Sequence, residues 1–264
     1  MSEFSLTNPP LICVAARVQF MPVESMASYV PALQEALRLN GYPVTVDPIK
    51  TKNWRIDEVA GSGMNVAFQE FDRWDFSNVE KTVIIRLDKL SVSILFTAYD
   101  HFANAEPHYR NIFSMVESVI QSLLPQVYQL RYVGYIPCEV ESDPSEWVTP
   151  SVLGMPNLGE LQRVNSISET SFETPEGGRL VTRCISLGPK HFTLPPDLLP
   201  IDAHVRYPLE SSVPFLLLEN LHTQTAHPTP FTAESCLAQL SELRRHNAEV
   251  FQATITTKAL ELWK

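Results

Sequence analysis

Seven histidines and four cysteines are the residues of this sequence best suited to hold a metal. A zinc site normally draws on at least one compact ligand pair, such as CxxC or two histidines on one helical face. The tightest grouping is His222, His227 and Cys236, and Pro228 and Pro230 stiffen the chain between them. No CxxC or HxH pair occurs, so no metal is expected. Asp100-His101 with His108 is the next grouping. Asp100 reads more simply as a residue at a helix start, where an acid meets the positive end of the helix dipole. The cysteines, at 13, 138, 184 and 236, form no paired motif. They read as reduced, small hydrophobic residues of a cytoplasmic protein.

Nucleophile and phosphate motifs are missing too. There is no GxSxG elbow, and Gly61-Ser62-Gly63-Met64 lacks the spacing. There is no Walker loop and no GxGxxG, and nine glycines in 264 residues leave few for such loops. Glu139, Glu141, Asp143 and Glu146 have the chemistry for a divalent cation but read as a solvated acidic loop. No cofactor is expected, and no catalytic residue can be named.

Four arginines remain. Arg17, Arg86, Arg131 and Arg183 each interrupt an apolar, strand-like run. If helices cover one face of a sheet, these four are expected to share the other. Guanidinium forks on an open face could hold carboxylates or phosphates bidentately. The four are therefore the candidate ligand- or partner-binding residues. The plainer reading pairs each with an acid on a neighbouring strand, Glu70 and Asp88 being the clearest acids.

The elements that must position them follow from periodicity. Residues 11–20 alternate and read as a strand. Met26, Tyr29, Val30, Leu33 and Leu37 have helical spacing; Pro31 moves the expected start to Val30, and Asn40-Gly41 ends the helix. Residues 42–46 and 66–71 are strands, with a poorly patterned stretch at 47–63 between them. Residues 82–87 and 91–99 form a hairpin, and 102–124 is the longest helix, stopped by Pro125. Further strands are expected at 128–136, 158–172, 179–187, 203–207 and 213–221, with a short helix over 144–153. A long helix spans 231–251 and a short one closes the chain. The order β-α-β4-α thus occurs twice. The expected class is α+β, with pseudo-repeated TATA-binding-protein-like or helix-grip units at 1–126 and 127–264 and antiparallel sheets under long helices.

Several phrases carry a family resemblance: Asn8-Pro9-Pro10-Leu11 before the first strand, Trp74-Asp75-Phe76-Ser77, Tyr128-Gln129-Leu130-Arg131-Tyr132, and Phe251-Gln252-Ala253-Thr254-Ile255-Thr256. Together they resemble a sporadically distributed bacterial family of uncharacterised proteins of roughly this length. The match covers the ends and the first half. The family's Gly-Leu-Arg-Tyr-Ile-Asn strand is Gln129-Leu130-Arg131-Tyr132-Val133-Gly134 here, and its histidine early in the last long helix has only His246 as an equivalent. The resemblance implies a bacterial or phage-related cytosolic protein and supplies no reaction.

Charge narrows the partners. Twenty Lys+Arg against 30 Asp+Glu leave a net −10, which repels phosphate backbones and anionic membranes on average. Arg244-Arg245 is the only basic pair, and no apolar run approaches the roughly 20 residues of a membrane span. Nucleic acid and membrane are not expected partners. The expected function is a non-enzymatic cytosolic binding or regulatory protein that engages a protein partner, in a bacterial defence or toxin-linked setting, with a homodimer compatible. The alternative is a small-molecule binder or enzyme with a pocket between sheet and long helix.

Overall fold

Strand β1 (Leu11–Phe20) is buried along the face that carries Val14, Ala16, Val18 and Phe20 and half-buried at Ala15, Arg17 and Gln19, as its alternating composition requires. The structure is a computed structural model that describes residues 6–59, 63–138, 143–161, 163–188, 205 and 213–264, with backbone alone at 52–59 and 63–69. After β1 come helix α1 (Met26–Leu39) and strands β2 (Val44–Thr45), β3 (Ile49–Val59), β4 (Gly63–Ser77), β5 (Val83–Asp88) and β6 (Ser91–Phe96). Helix α2 (Phe102–Val119) leads into β7 (Pro125–Pro137). Two 3₁₀ turns, Pro144–Glu146 and Pro150–Val152, precede β8 (Asn165–Glu173), β9 (Arg179–Leu187) and β10 (Phe215–Thr225). Helices α3 (Ala233–Thr254) and α4 (Thr257–Trp263) follow.

Among the described residues the ten strands form one antiparallel sheet, in the order β2-β4-β5-β6-β1-β7-β10-β9-β8, with β3 paired to β4. The class is α+β. β1 and β7 lie together at the centre, with Ala16 opposite Leu130. The β5–β6 hairpin closes through a two-residue loop between Asp88 and Ser91, as the tetrapeptide there predicts. β4 pairs with β5 only over Arg73–Ser77, so β3 and the first part of β4 form a two-stranded ribbon beyond the sheet.

Val14, Ala16, Val18 and Phe20 of β1 face the main core, which receives Met26, Leu33 and Leu37 of α1, Tyr109, Ile112, Phe113 and Val116 of α2, and Cys236, Leu237, Leu240 and Leu243 of α3. These helices cover one sheet face. A second cluster holds Leu216 and Leu218 against Val148, Ile255, Ala259 and Trp263. A third lies on the other face, with Cys13, Leu95, Val133, Tyr135, Phe215 and Leu217. Among the described residues no helix is long and apolar enough to cross a membrane.

Several boundaries differ from expectation. α1 starts at Met26, so Pro31 lies inside it as the sixth residue, where the cost is one early backbone bond. α2 ends at Val119, five residues before the expected stop. Ser122, with φ of 62°, turns the chain toward β7 while Ile120 and Leu123 stay buried. The poorly patterned stretch 47–63 holds β3. The helix expected over 144–153 is the pair of 3₁₀ turns, each opened by a proline. The strand expected at 203–207 lies outside the described residues, apart from residue 205.

Candidate functional site

Alternation puts the four strand arginines on the sheet face away from α1, α2 and α3. Val18 and Ala16 face the helices, so Arg17 points the other way. Arg17 and Arg86 both lie opposite Ser93, and Gln129, two residues from Arg131, lies opposite Arg17. Three of the four have acid partners. Asp75 lies across from Arg86, its Oδ2 3.5 Å from the guanidinium Nε, and also accepts Arg73 Nε at 2.9 Å. Glu219, 3% exposed, reaches Arg131 through Oε1 at 2.5 Å and Arg183 through Oε2 at 2.9 Å. Arg183 also meets Glu169 across the β8–β9 pair. Among the described residues Arg17 makes no ion pair, and its Nε is buried without a hydrogen bond. The acids singled out by sequence are not the partners. Asp88 accepts the Leu90 N–H at 2.7 Å and the Ser91 hydroxyl at 3.1 Å, closing its own hairpin. Glu70 sits on the β3–β4 ribbon, near Lys50.

Among the described residues, His222, His227 and Cys236 form no ligand set; the one set close enough for a metal is Glu176, Glu242 and His246, with ligand atoms within 4.8 Å of one another. The Arg245 guanidinium already stands there, 2.8 Å from Glu176 and in contact with Glu242. His246 is 2.9 Å from Glu176 and 3.1 Å from Glu249. A cation's place is therefore filled by a side chain, and the network ties α3 to the β8–β9 turn. His222 is wholly buried, its Nδ1 3.1 Å from the Leu243 carbonyl, and burial pushes its pKa below the ordinary imidazole value. His108 bonds Tyr42 at 2.7 Å through Nδ1, away from His101 at the α2 N-cap. In the acidic loop, Asp143 caps Ser145 and Glu146 pairs with Lys258 at 2.5 Å; Glu139, Glu141 and Ser62 lie outside the described residues. All four cysteines are buried, and none is in a disulfide. Burial pushes the Cys138 thiol up to about 11 and those of Cys184 and Cys236 to about 12, so they stay protonated at neutral pH.

A cleft sits where the N-terminus of α2 meets the second half of α3 over the sheet, with a cavity of about 90 Å³. By the room one buried water needs, that is space for several water-sized groups. Its floor is Leu11 of β1, Tyr132 of β7 and Asn220 of β10; Tyr132 and Asn220 are direct neighbours across the β7–β10 pair. Its roof is Arg244, Asn247, Ala248 and Phe251, a single stripe along α3. Tyr99, Asp100, His101 and Phe102 form one wall, and Leu6 and Pro9 the rim.

Several polar groups converge here. The Tyr99 and Tyr132 hydroxyls lie 3.4 Å apart, with their rings edge to face. Burial first, and then the neighbouring Tyr99, lift the Tyr132 phenol well above its ordinary range, so it acts as a neutral hydroxyl. Asn247 is 2% exposed; its amide donates to the Leu130 and Leu243 carbonyls, and its Oδ1 has no partner. Asn220 is 4% exposed and makes no side-chain hydrogen bond among the described residues. The Arg244 guanidinium lies 5.1 Å over the Phe102 ring, at the first residue of α2. Hydrophobic walls with a few convergent polar groups are the ordinary make-up of a small-molecule site.

The sequence reading allowed a pocket between sheet and long helix as its alternative but did not single out Asn220 or Asn247, although their signals were present. Glu219 and Asn220 break the apolar run of β10, one per face, and Asn247 occupies a core position of the α3 stripe. No protein-family model matches the chain, and no curated protein matches it.

Proposed function

We propose that this chain is a non-enzymatic binding protein that holds a small molecule in the cleft between α2, α3 and the sheet. The observation that carries the reading is Asn220: a nearly buried amide that lines the cavity and bonds to no described side chain or backbone group. Its amide faces the cavity and is placed to hydrogen-bond a molecule bound there. The phenol of Tyr132 is held neutral by burial, so it offers a ligand a hydroxyl rather than a charge. The test is to purify the chain natively, denature it and identify released small molecules, beside Ala248→Phe, which fills the roof. A compound released from the wild type and missing from the variant is expected. A cleft that releases nothing and binds nothing from a fragment library would sink the reading.

A protein partner at the arginine face is the second reading, and Arg17 favours it as the one arginine of the four with no acid beside it among the described residues. The geometry of Arg86, Arg131 and Arg183 is that of internal braces. We also infer that the sheet consists of two related units of TATA-binding-protein-like topology. Outward from the central pair, β6, β5 and β4 on one side correspond to β10, β9 and β8 on the other, and a long helix follows β6 and β10 alike. The 3₁₀ turns stand where the first unit has α1.

A further inference from the structure

Two asparagines line the cleft, and they differ in how much of each amide is already bonded. The Asn247 Nδ2 donates to the Leu130 carbonyl at 3.3 Å and to the Leu243 carbonyl at 3.1 Å, so both its N–H groups are used and the orientation of the amide is fixed. The end left over is Oδ1, which only accepts and has no partner among the described residues. Asn220 keeps both ends. Its side chain is 4% exposed, faces the cavity and makes no hydrogen bond among the described residues. It therefore presents a donor beside an acceptor. The charged groups at the cleft are committed by contrast: Arg244 lies over the Phe102 ring, and neither it nor Asp100 is free. The Tyr132 hydroxyl is neutral. The unmatched groups of these asparagines are thus uncharged, a complete amide and a fixed acceptor.

We propose that the cleft takes a small neutral molecule that carries a carboxamide or lactam group on an apolar body. This rests on the cleft being a ligand site. A carboxamide shows an N–H beside a C=O, the complement of the Asn220 amide, and the two meet edge to edge through a pair of hydrogen bonds. A second N–H, as a primary carboxamide has, is the donor that the Asn247 oxygen lacks. A carboxylate has no N–H for either asparagine oxygen, so the same pair of amides disfavours an anion. The body lies among Leu11, Phe102 and Phe251. The cavity limits the ligand to about ten heavy atoms.

The experiment uses the intact chain and probes matched in shape: benzamide beside acetophenone and benzoate, and caprolactam beside caprolactone. Calorimetry should give a Kd at least about tenfold tighter for each amide than for its ketone, ester or acid counterpart, because a site built to bond an N–H rejects the analogue without it. The gap between benzamide and acetophenone should persist as salt rises, since neither carries a charge. Asn220→Leu, checked for folding by its thermal midpoint, should narrow the gap several-fold, and the comparison within the wild type holds whether or not that variant folds. A ketone or ester that binds as tightly as its amide, a benzoate that binds best, or an undiminished gap in folded Asn220→Leu overturns the carboxamide assignment and leaves the cleft reading standing. If no probe binds the wild type better than Ala248→Phe, the carboxamide assignment falls, and the release of a native compound decides the cleft itself.

Discussion

Glu219 is a single buried carboxylate that serves two arginines from neighbouring strands. Its charge is matched on both oxygens, by Arg131 on β7 and Arg183 on β9. Removing one partner of a buried pair leaves the other charge desolvated and uncompensated. Glu219→Leu is therefore expected to destabilise the fold by about 3–5 kcal/mol, read by urea titration at neutral pH. Arg17→Met, which removes a partly buried charge with no acid beside it among the described residues, should change stability by less than about 1 kcal/mol. Equal losses in the two variants would mean that the Glu219 network is no brace. The arginines were legible as a set because a charge inside an apolar strand run is conspicuous. Their partners were not, because Asp75 and Glu219 are chosen by strand order and register, which local pattern does not fix. Asn220 and Asn247 were hidden for a related reason. Each looks like a polar residue awaiting a core partner, and only the packing of α3 over β10 leaves a cavity beside them.

The helix layer rests on α2, whose apolar stripe reads directly from its sequence. Phe113 is wholly buried, stacked near Tyr109 and edge-on to Phe231 ahead of α3. Phe113→Ala should cost about 3–5 kcal/mol, the usual price of a large core cavity. A loss under about 0.5 kcal/mol in thermal or denaturant unfolding would contradict the packing described. β1, β5 and β6, buried and strongly patterned, were as legible as α2. β3 was not, because it joins only β4, in a ribbon beyond the sheet, where pairing runs through the backbone and demands no apolar face. The α2 C-terminus was misplaced because Ile120 and Leu123 keep the helical spacing while serving a turn.

The expected division at 126/127 falls inside β7, near the start of a strand that pairs with β1 along its length, and the main core draws side chains from both sides of it. The described sheet therefore behaves as a unit, and thermal unfolding is expected as one cooperative transition, with far- and near-ultraviolet circular dichroism coinciding. Two separated transitions would show that the halves are energetically independent. The same central pairing has a consequence for how the chain is made. β1 leaves the ribosome before either of its neighbours, since β6 begins at residue 91 and β7 at residue 125. Until then a nearly apolar strand has both edges unsatisfied, and its closure waits on contacts distant in sequence. The nascent chain is thus most exposed to wrong partners during the synthesis of its first half, and a product truncated before residue 125 would keep the β7 edge of that strand open permanently.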